Sequence, residues 1–181
     1  MNNPVAQSKR IYFRPLELDD IKNGWQKWIN DSETNEFLDG VFPQTKDNLL
    51  NYYKEQQPPK AVMFAVCDKK NNKYFGNAKL GNIDWINKRC TYGRLIGLKS
   101  YRSKGYGSEA LILLVKYGFL KLGMNRIYTG VIEDNTPSLI SNEKVGFVRE
   151  GIQREAILRN GKFVNTVSLA MTKNDFNKKY K

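Results

Sequence analysis

Histidine is absent from the chain. Its absence excludes Ser-His and Cys-His nucleophile pairs, imidazole general bases and histidine-bearing zinc sites, and most hydrolase readings fall with them. Cysteine is nearly as scarce. Cys67 and Cys90 are the only two, too few and too isolated for a disulfide framework or a four-thiolate metal site, so both read as reduced core thiols and no metal is expected. No apolar run approaches the length that crosses a bilayer. The segment Met1 to Ser8 has neither a basic start followed by an apolar stretch nor a small-residue cleavage site, so the expectation is a soluble, cytoplasmic protein without a membrane partner. Acidic residues are also short, with 18 Asp and Glu against 30 Lys and Arg and a formal net charge of +12. That excess concentrates anionic partners at the surface, phosphate-bearing cofactors included, without selecting one. Its clusters, Lys69, Lys70 and Lys73, then Lys173, Lys178, Lys179 and Lys181, read as solvated faces before they read as a nucleic-acid groove.

What is present fits one compact domain over residues 1–181, with a core from about 9 to 172 and a short basic C-terminal tail. Lys9 to Arg14 reads as a strand closed by Pro15, and a helix capped by Asp19 or Asp20 follows to Asn30-Asp31. A second helix runs from about Thr45 to Glu55 and stops before Pro58-Pro59. Ala61 to Cys67 and Tyr74 to Ile83 form a hairpin, and Thr91 to Leu98 is a further strand whose interior Gly93 and Gly97 suggest a bulge or a close ligand. From Ser108 to Leu122 apolar residues recur at helical spacing, with Gly123 as the stop. Arg126 to Ile132 is a strand, Pro137 to Lys144 a short helix, and Phe147 to Ala156 and Phe163 to Met171 a strand pair turned at Asn160-Gly161. Alternating helices and strands in so short a chain imply helices packed on a mixed sheet.

The segment Leu98 to Ala110 lies between a strand and the strongest helix. Gly105 and Gly107 let the backbone turn tightly beside a phosphate, the first amides of the helix have no internal acceptor, and Arg102 and Lys104 add positive charge. The spacing is neither that of a nucleotide P-loop nor that of a dinucleotide-binding turn. Arg102-x-x-Gly105-x-Gly107 is followed by Asn135-x-x-Ser138-x-x-x-x-Glu143-Lys144-x-Gly146-Phe147 and then Glu150-Gly151. Together these resemble the GNAT superfamily of N-acetyltransferases, especially its ribosomal-protein N-terminal branch and, through Gly81 to Asp84 and Gly93 to Gly97, amino-sugar acetyltransferases.

The resemblance implies an α/β (α+β) fold, a mixed, mostly antiparallel sheet of about six to seven strands splayed in the middle and flanked by about four helices. It implies acetyl-coenzyme A as co-substrate. The amides of Ser103, Lys104, Gly105, Tyr106, Gly107 and Ser108 would hold the pyrophosphate with Arg102 alongside, the pantetheine would bond to backbone near Ile96 and Leu98, and Asn135 and Ser138 would contact the arm. In this family the amine attacks the thioester directly, and a backbone amide between Ile96 and Leu98 is the expected oxyanion donor. Many members carry Tyr where Asn142 stands, and Asn142 can donate a hydrogen bond to the thiolate but not a proton. Glu133 is the expected base with Asp84 second, although members of the branch often carry an acid where Thr91 stands. Trp28, Phe37, Trp85 and Tyr92, with Asp84, are expected around the acceptor. An amino sugar or sugar nucleotide is the leading acceptor and a protein N-terminus the alternative. A basic nucleic-acid-binding module and a coenzyme-binding protein without turnover are the competing classes, and a homodimer is open.

Overall fold

Period-2 alternation along the first strands builds two apolar layers. In the computed structural model, which describes residues 4–38 and 42–181, Ile11 and Phe13 of β2 (Ile11–Pro15) and Phe64 and Val66 of β3 (Val62–Asp68) face one layer, while Tyr12, Ala65 and Cys67 face the other. With β1 (Ala6–Gln7), β4 (Tyr74–Asp84), β5 (Arg89–Ile96), β6 (Arg126–Ile132), β7 (Val148–Arg159) and β8 (Lys162–Thr172) they form an eight-stranded sheet in the order β1-β2-β3-β4-β5-β6-β8-β7. Every neighbouring pair is antiparallel except β5 with β6. The first layer is covered by α4 (Tyr106–Lys116), α5 (Thr136–Val145) and α6 (Lys173–Tyr180), the second by α1 (Gln26–Asn30) and α3 (Lys46–Glu55).

The expected mixed sheet is therefore present, with eight strands in place of six or seven and, among the described residues, six α-helices in place of four. The extra strand is the two-residue β1, and the extra helices are α2 (Ser32–Asn35) and α6. The C-terminal segment is thus a helix, not a tail. Thr172 and Asp175 form a reciprocal capping box at its start, and Phe176 is buried beneath it. Asp20 caps nothing: its carboxylate takes two bonds from the buried Arg14 guanidinium, at 2.7 and 2.6 Å, and one from the Glu17 amide at 2.8 Å. A buried guanidinium without a carboxylate is costlier than an uncapped helix, so the pair takes precedence, and Asp20 holds the Arg14 pKa above its ordinary value. The helix it precedes begins as a π-helical turn, Ile21–Trp25. Thr45, by contrast, caps α3 by accepting from the Asn48 amide at 3.1 Å.

One feature of the sheet positions the site. β5 and β6 pair over only three positions, Arg89 with Arg126, Cys90 with Ile127 and Thr91 with Tyr128. Beyond them Tyr92 to Ile96 and Thr129 to Ile132 separate without pairing. The sheet opens there as a fork, with α4 starting just after one tine and α5 just after the other.

Candidate active site

After β5 the chain makes a 3-10 turn, Lys99–Tyr101, and then places Ser103 (φ 56°) and Gly105 (φ 79°) in the left-handed region. Gly105 does so without the clash a Cβ brings. No side chain caps α4, and its first amides, Tyr106, Gly107 and Ser108, have no protein acceptor among the described residues. Orphan donors at the positive end of a helix dipole can seat an anion. The loop is braced from behind. Arg10 donates to Lys104 O at 3.0 Å and to Glu109 Oε2 at 2.6 Å and lies 4.1 Å over the Tyr106 ring, while Tyr101 stacks on Phe75 at 4.1 Å. A hydroxyl pair, Ser108 and Ser141 at 2.7 Å, ties α4 to α5.

Arg102, expected alongside the phosphate, is taken up elsewhere. It donates to Ile96 O at 3.0 Å and Gly97 O at 3.1 Å, and to Thr34 Oγ1 at 2.6 Å and Glu33 Oε1 at 3.2 Å. It latches α2 to the end of β5, and Lys99 adds an ion pair to the same Glu33. The cation that faces the gap is Arg94, which sequence reasoning missed. Its guanidinium donates to Gly107 O at 2.7 Å and has no carboxylate within ion-pairing distance among the described residues; burial lowers its pKa. The signal was available, because a charge two residues from Tyr92 and two from Ile96 shares their face of the strand.

The end of β5 is bulged. The Gly97 amide at 2.9 Å and the Leu98 amide at 3.2 Å both donate to Phe75 O, and Leu98 O accepts from the Tyr101 amide at 3.0 Å. Both backbone groups of Leu98 are therefore occupied. Strand alternation turns the amides of Ile96 and Arg94 away from β4 and toward the gap, so the open donor is Ile96, not Leu98. The bulge is fixed by Trp28, which is buried and packs at 4.8 Å against Tyr74 with the rings tilted by 48°. A Cβ on Gly97 would stand 1.9 Å from Trp28 Cδ2. Trp28 is thus the floor under the loop, not a wall of the acceptor pocket.

On the α1/α3 side of the sheet a cavity of about 390 Å³ reaches Gly93, Arg94 and Leu95 beside the gap. Trp25, Ile29, Leu49 and Met63 give it apolar walls, and Tyr52, Gln44, Asn77 and Lys79 its polar ones. Lys79 Nζ donates to Tyr52 Oη at 2.5 Å and Gln56 Oε1 at 3.3 Å. Among the described lining residues there is no carboxylate.

Several expected acceptor residues lie away from this cavity. Asp84 sits in the β4–β5 turn and accepts from the Asn87 amide at 2.9 Å, the Asn87 side chain at 2.7 Å and Arg89 Nε at 3.1 Å. These bonds, that of the Asn87 amide first, hold its pKa down at about 2, which makes it a turn cap and a poor base. Trp85 donates to Pro59 O at 2.9 Å in the same turn, and Phe37 lies 4.9 Å beneath the Arg159 guanidinium. Glu133 is exposed just beyond β6 and accepts from Asn165 at 2.9 Å; five residues past the fork at Tyr128, it is roughly 16 Å along the strand. Asn135 caps α5 by accepting from the Ser138 amide at 3.2 Å. Ser138 O accepts in turn from Asn142 Nδ2 at 2.9 Å.

That last bond fixes Asn142, which is fully buried. Its amide nitrogen is spent on Ser138, its Oδ1 accepts from the Tyr92 hydroxyl, and it cannot turn a free donor to a sulfur. Tyr92, expected at the acceptor, points instead into the layer under α4 and α5 and packs at 5.2 Å on Phe147.

An anion seat at a helix start, a forked sheet beside it and a substrate-sized cavity opening on the fork are the parts of an acyl-coenzyme A transferase. The acetyltransferase (GNAT) domain family matches residues 10–148, and the chain belongs to that family, with acetyl-coenzyme A as its acetyl donor. Over 173 residues it is 27% identical to the SPbeta prophage-derived uncharacterized N-acetyltransferase YokL of Bacillus subtilis, covering 93% of each chain. It is 24% identical over 176 residues to the spermidine N(1)-acetyltransferase of Escherichia coli K12, covering 96% of this chain and 90% of that one. Among solved structures, spermidine N-acetyltransferase from Vibrio cholerae in complex with CoA and spermine superposes with a TM-score of 0.85 at 20% identity, covering 92% of this chain and 98% of that one.

Proposed function

We propose that the chain acetylates a small-molecule primary amine of low pKa that carries hydroxyl or anionic groups, an amino sugar or sugar nucleotide, by direct attack on acetyl-coenzyme A. In this reading the amides from Ser103 to Ser108 receive the pyrophosphate, Arg94 and Lys104 add charge to it, and the Ile96 amide meets the pantetheine. The observation that carries the acceptor class is the cavity wall: Lys79 is in it, and no carboxylate is among its described lining residues. A cavity of about 390 Å³ suits a sugar-sized ligand, and Trp25 and Tyr52 offer it aromatic faces. Without a carboxylate base the amine has to arrive neutral. An α-amine with a pKa of about 7.7–8.0 is partly so at pH 7, whereas an amine near 10.4 is almost wholly protonated.

Polyamines are the second reading, supported by the likeness to the spermidine acetyltransferases. Lys79→Glu separates the two. On the sugar reading it raises KM for an amino-sugar phosphate severalfold and leaves spermidine a poor acceptor. A parent enzyme that prefers spermidine, and gains on it with Lys79→Glu, overturns that reading.

A further inference from the structure

We infer that Tyr92 is the group that protonates the departing coenzyme sulfur, with Asn142 as its positioning residue. The inference rests on the proposed seating of the coenzyme. Tyr92 is the first residue of β5 beyond the last pair with β6, so it stands at the root of the fork. The pantetheine arm starts at the anion seat near Leu98. Its two amide units and two-carbon thiol span about the length of four to five extended residues, roughly 15 Å. Laid along β5 from Leu98, that length brings the sulfur level with Gly93 and Arg94, where the acceptor cavity meets the gap. Tyr92 is rooted one residue further and its side chain rises toward α5, so that its bond to Asn142 spans from one tine of the fork to the helix that follows the other. No other hydroxyl on β5 shares its face, because Thr91 lies on the opposite one and donates to Gly81 O at 3.0 Å, and the one thiol on the same face, Cys90, is fully buried beside the paired part of the sheet.

The hydrogen-bond directions fix the donor. Ser138 O can only accept, so Asn142 presents Nδ2 to it and Oδ1 to Tyr92. The hydroxyl therefore carries its proton toward Asn142, and rotation about the C–O bond redirects it to an arriving sulfur. In the step itself the amine lone pair forms the C–N bond and the carbonyl pair moves to oxygen. Collapse restores the carbonyl and breaks the C–S bond, with the pair leaving on sulfur. Tyr92 gives its proton to that sulfur, and the phenolate regains one from the proton that the acetylated nitrogen sheds to solvent.

The test compares two donors, acetyl-coenzyme A and its acetyl-selenoester, whose selenolate leaves without a proton. Wild type and Tyr92→Phe are assayed on both, with water as acceptor where no amine has been found, and coenzyme binding is measured separately by calorimetry. The thioester rate of Tyr92→Phe is expected to fall about 100-fold or more, with coenzyme affinity unchanged and the selenoester rate close to wild type. Equal losses on both donors, or no loss on the thioester, overturn the assignment. Lost coenzyme binding in the wild type would instead strike the seating on which the inference rests. If Tyr92→Phe does not fold, 3-fluorotyrosine at position 92 keeps the packing: the thioester rate alone is expected to respond, and a thioester rate that does not respond overturns the inference.

Discussion

Replacing Gly97 by alanine tests how the loop is held. Gly97 has an ordinary φ, so the substitution meets a question of space alone. The new methyl would stand 1.9, 2.2 and 2.4 Å from Trp28 Cδ2, Cε3 and Cγ. None of these is the end of a flexible chain; all belong to a buried ring held against Tyr74 at 4.8 Å. Either the ring or the end of β5 has to shift by more than an ångström, which places the cost at the top of the overpacking range, about 3 kcal/mol. For a chain of this length that corresponds to a melting temperature lower by roughly 6–12 °C. Because the Gly97 and Leu98 amides share Phe75 O, a shifted strand end also disturbs the anion seat, and coenzyme is expected to bind about tenfold more weakly, a loss of ~1.4 kcal/mol. The control is a double-mutant cycle with Trp28→Ala. Once the ring is gone, Gly97→Ala should cost less than about 1 kcal/mol in chemical denaturation. If the two costs simply add, or Gly97→Ala melts with the parent, the steric account of the bulge is wrong.

Arg102→Lys retains the charge but loses the fork that joins Ile96, Gly97, Thr34 and Glu33; coenzyme titration should show about a tenfold loss, and a Kd equal to the parent's would contradict the latch. Asp84→Asn should leave turnover intact. The folded pKa of Asp84 is depressed to about 2 by its bonds to Asn87 and Arg89, so its charge-dependent stabilisation is present above the ordinary carboxylate range and lost as pH falls through about 2. The stability difference between parent and variant should accordingly narrow on acidification from pH ~4, and a difference that grows there would refute the turn-cap assignment. Burial pushes the Cys90 thiol up to about 12 and raises that of Cys67, so neither should react with a thiol reagent until the protein unfolds. Fast labelling of the native protein would contradict their placement.

The strands and helices with a clear period were legible from sequence, Arg126 to Ile132 to the residue. So was the Asn160-Gly161 turn, where both residues have positive φ. The left-handed turn and the uncapped helix start after β5 were legible because they are local: Gly105 and the first turn of α4 are adjacent in the chain. What failed was long-range pairing. Nothing near Asp20 says that Arg14 will claim it, and nothing near Arg102 reveals Thr34 and Glu33, more than sixty residues away. The aromatic residues misled for the same reason. Trp25 and Trp28 are three apart on one helical stretch, and only the approach of Gly97 decides that Trp28 goes under the loop while Trp25 lines the cavity. In the sequence Asn142 offers a donor to sulfur, because its partners Ser138 and Tyr92 become visible only once α5 packs against β5.

The most direct test of the account is thiol release from acetyl-coenzyme A, followed across amino sugars, sugar nucleotides, N-terminal peptides and polyamines. Turnover with an amino sugar or sugar nucleotide is the expected result, with little on spermidine at pH 7. Preference for spermidine, or silence across the panel despite coenzyme binding, would contradict it.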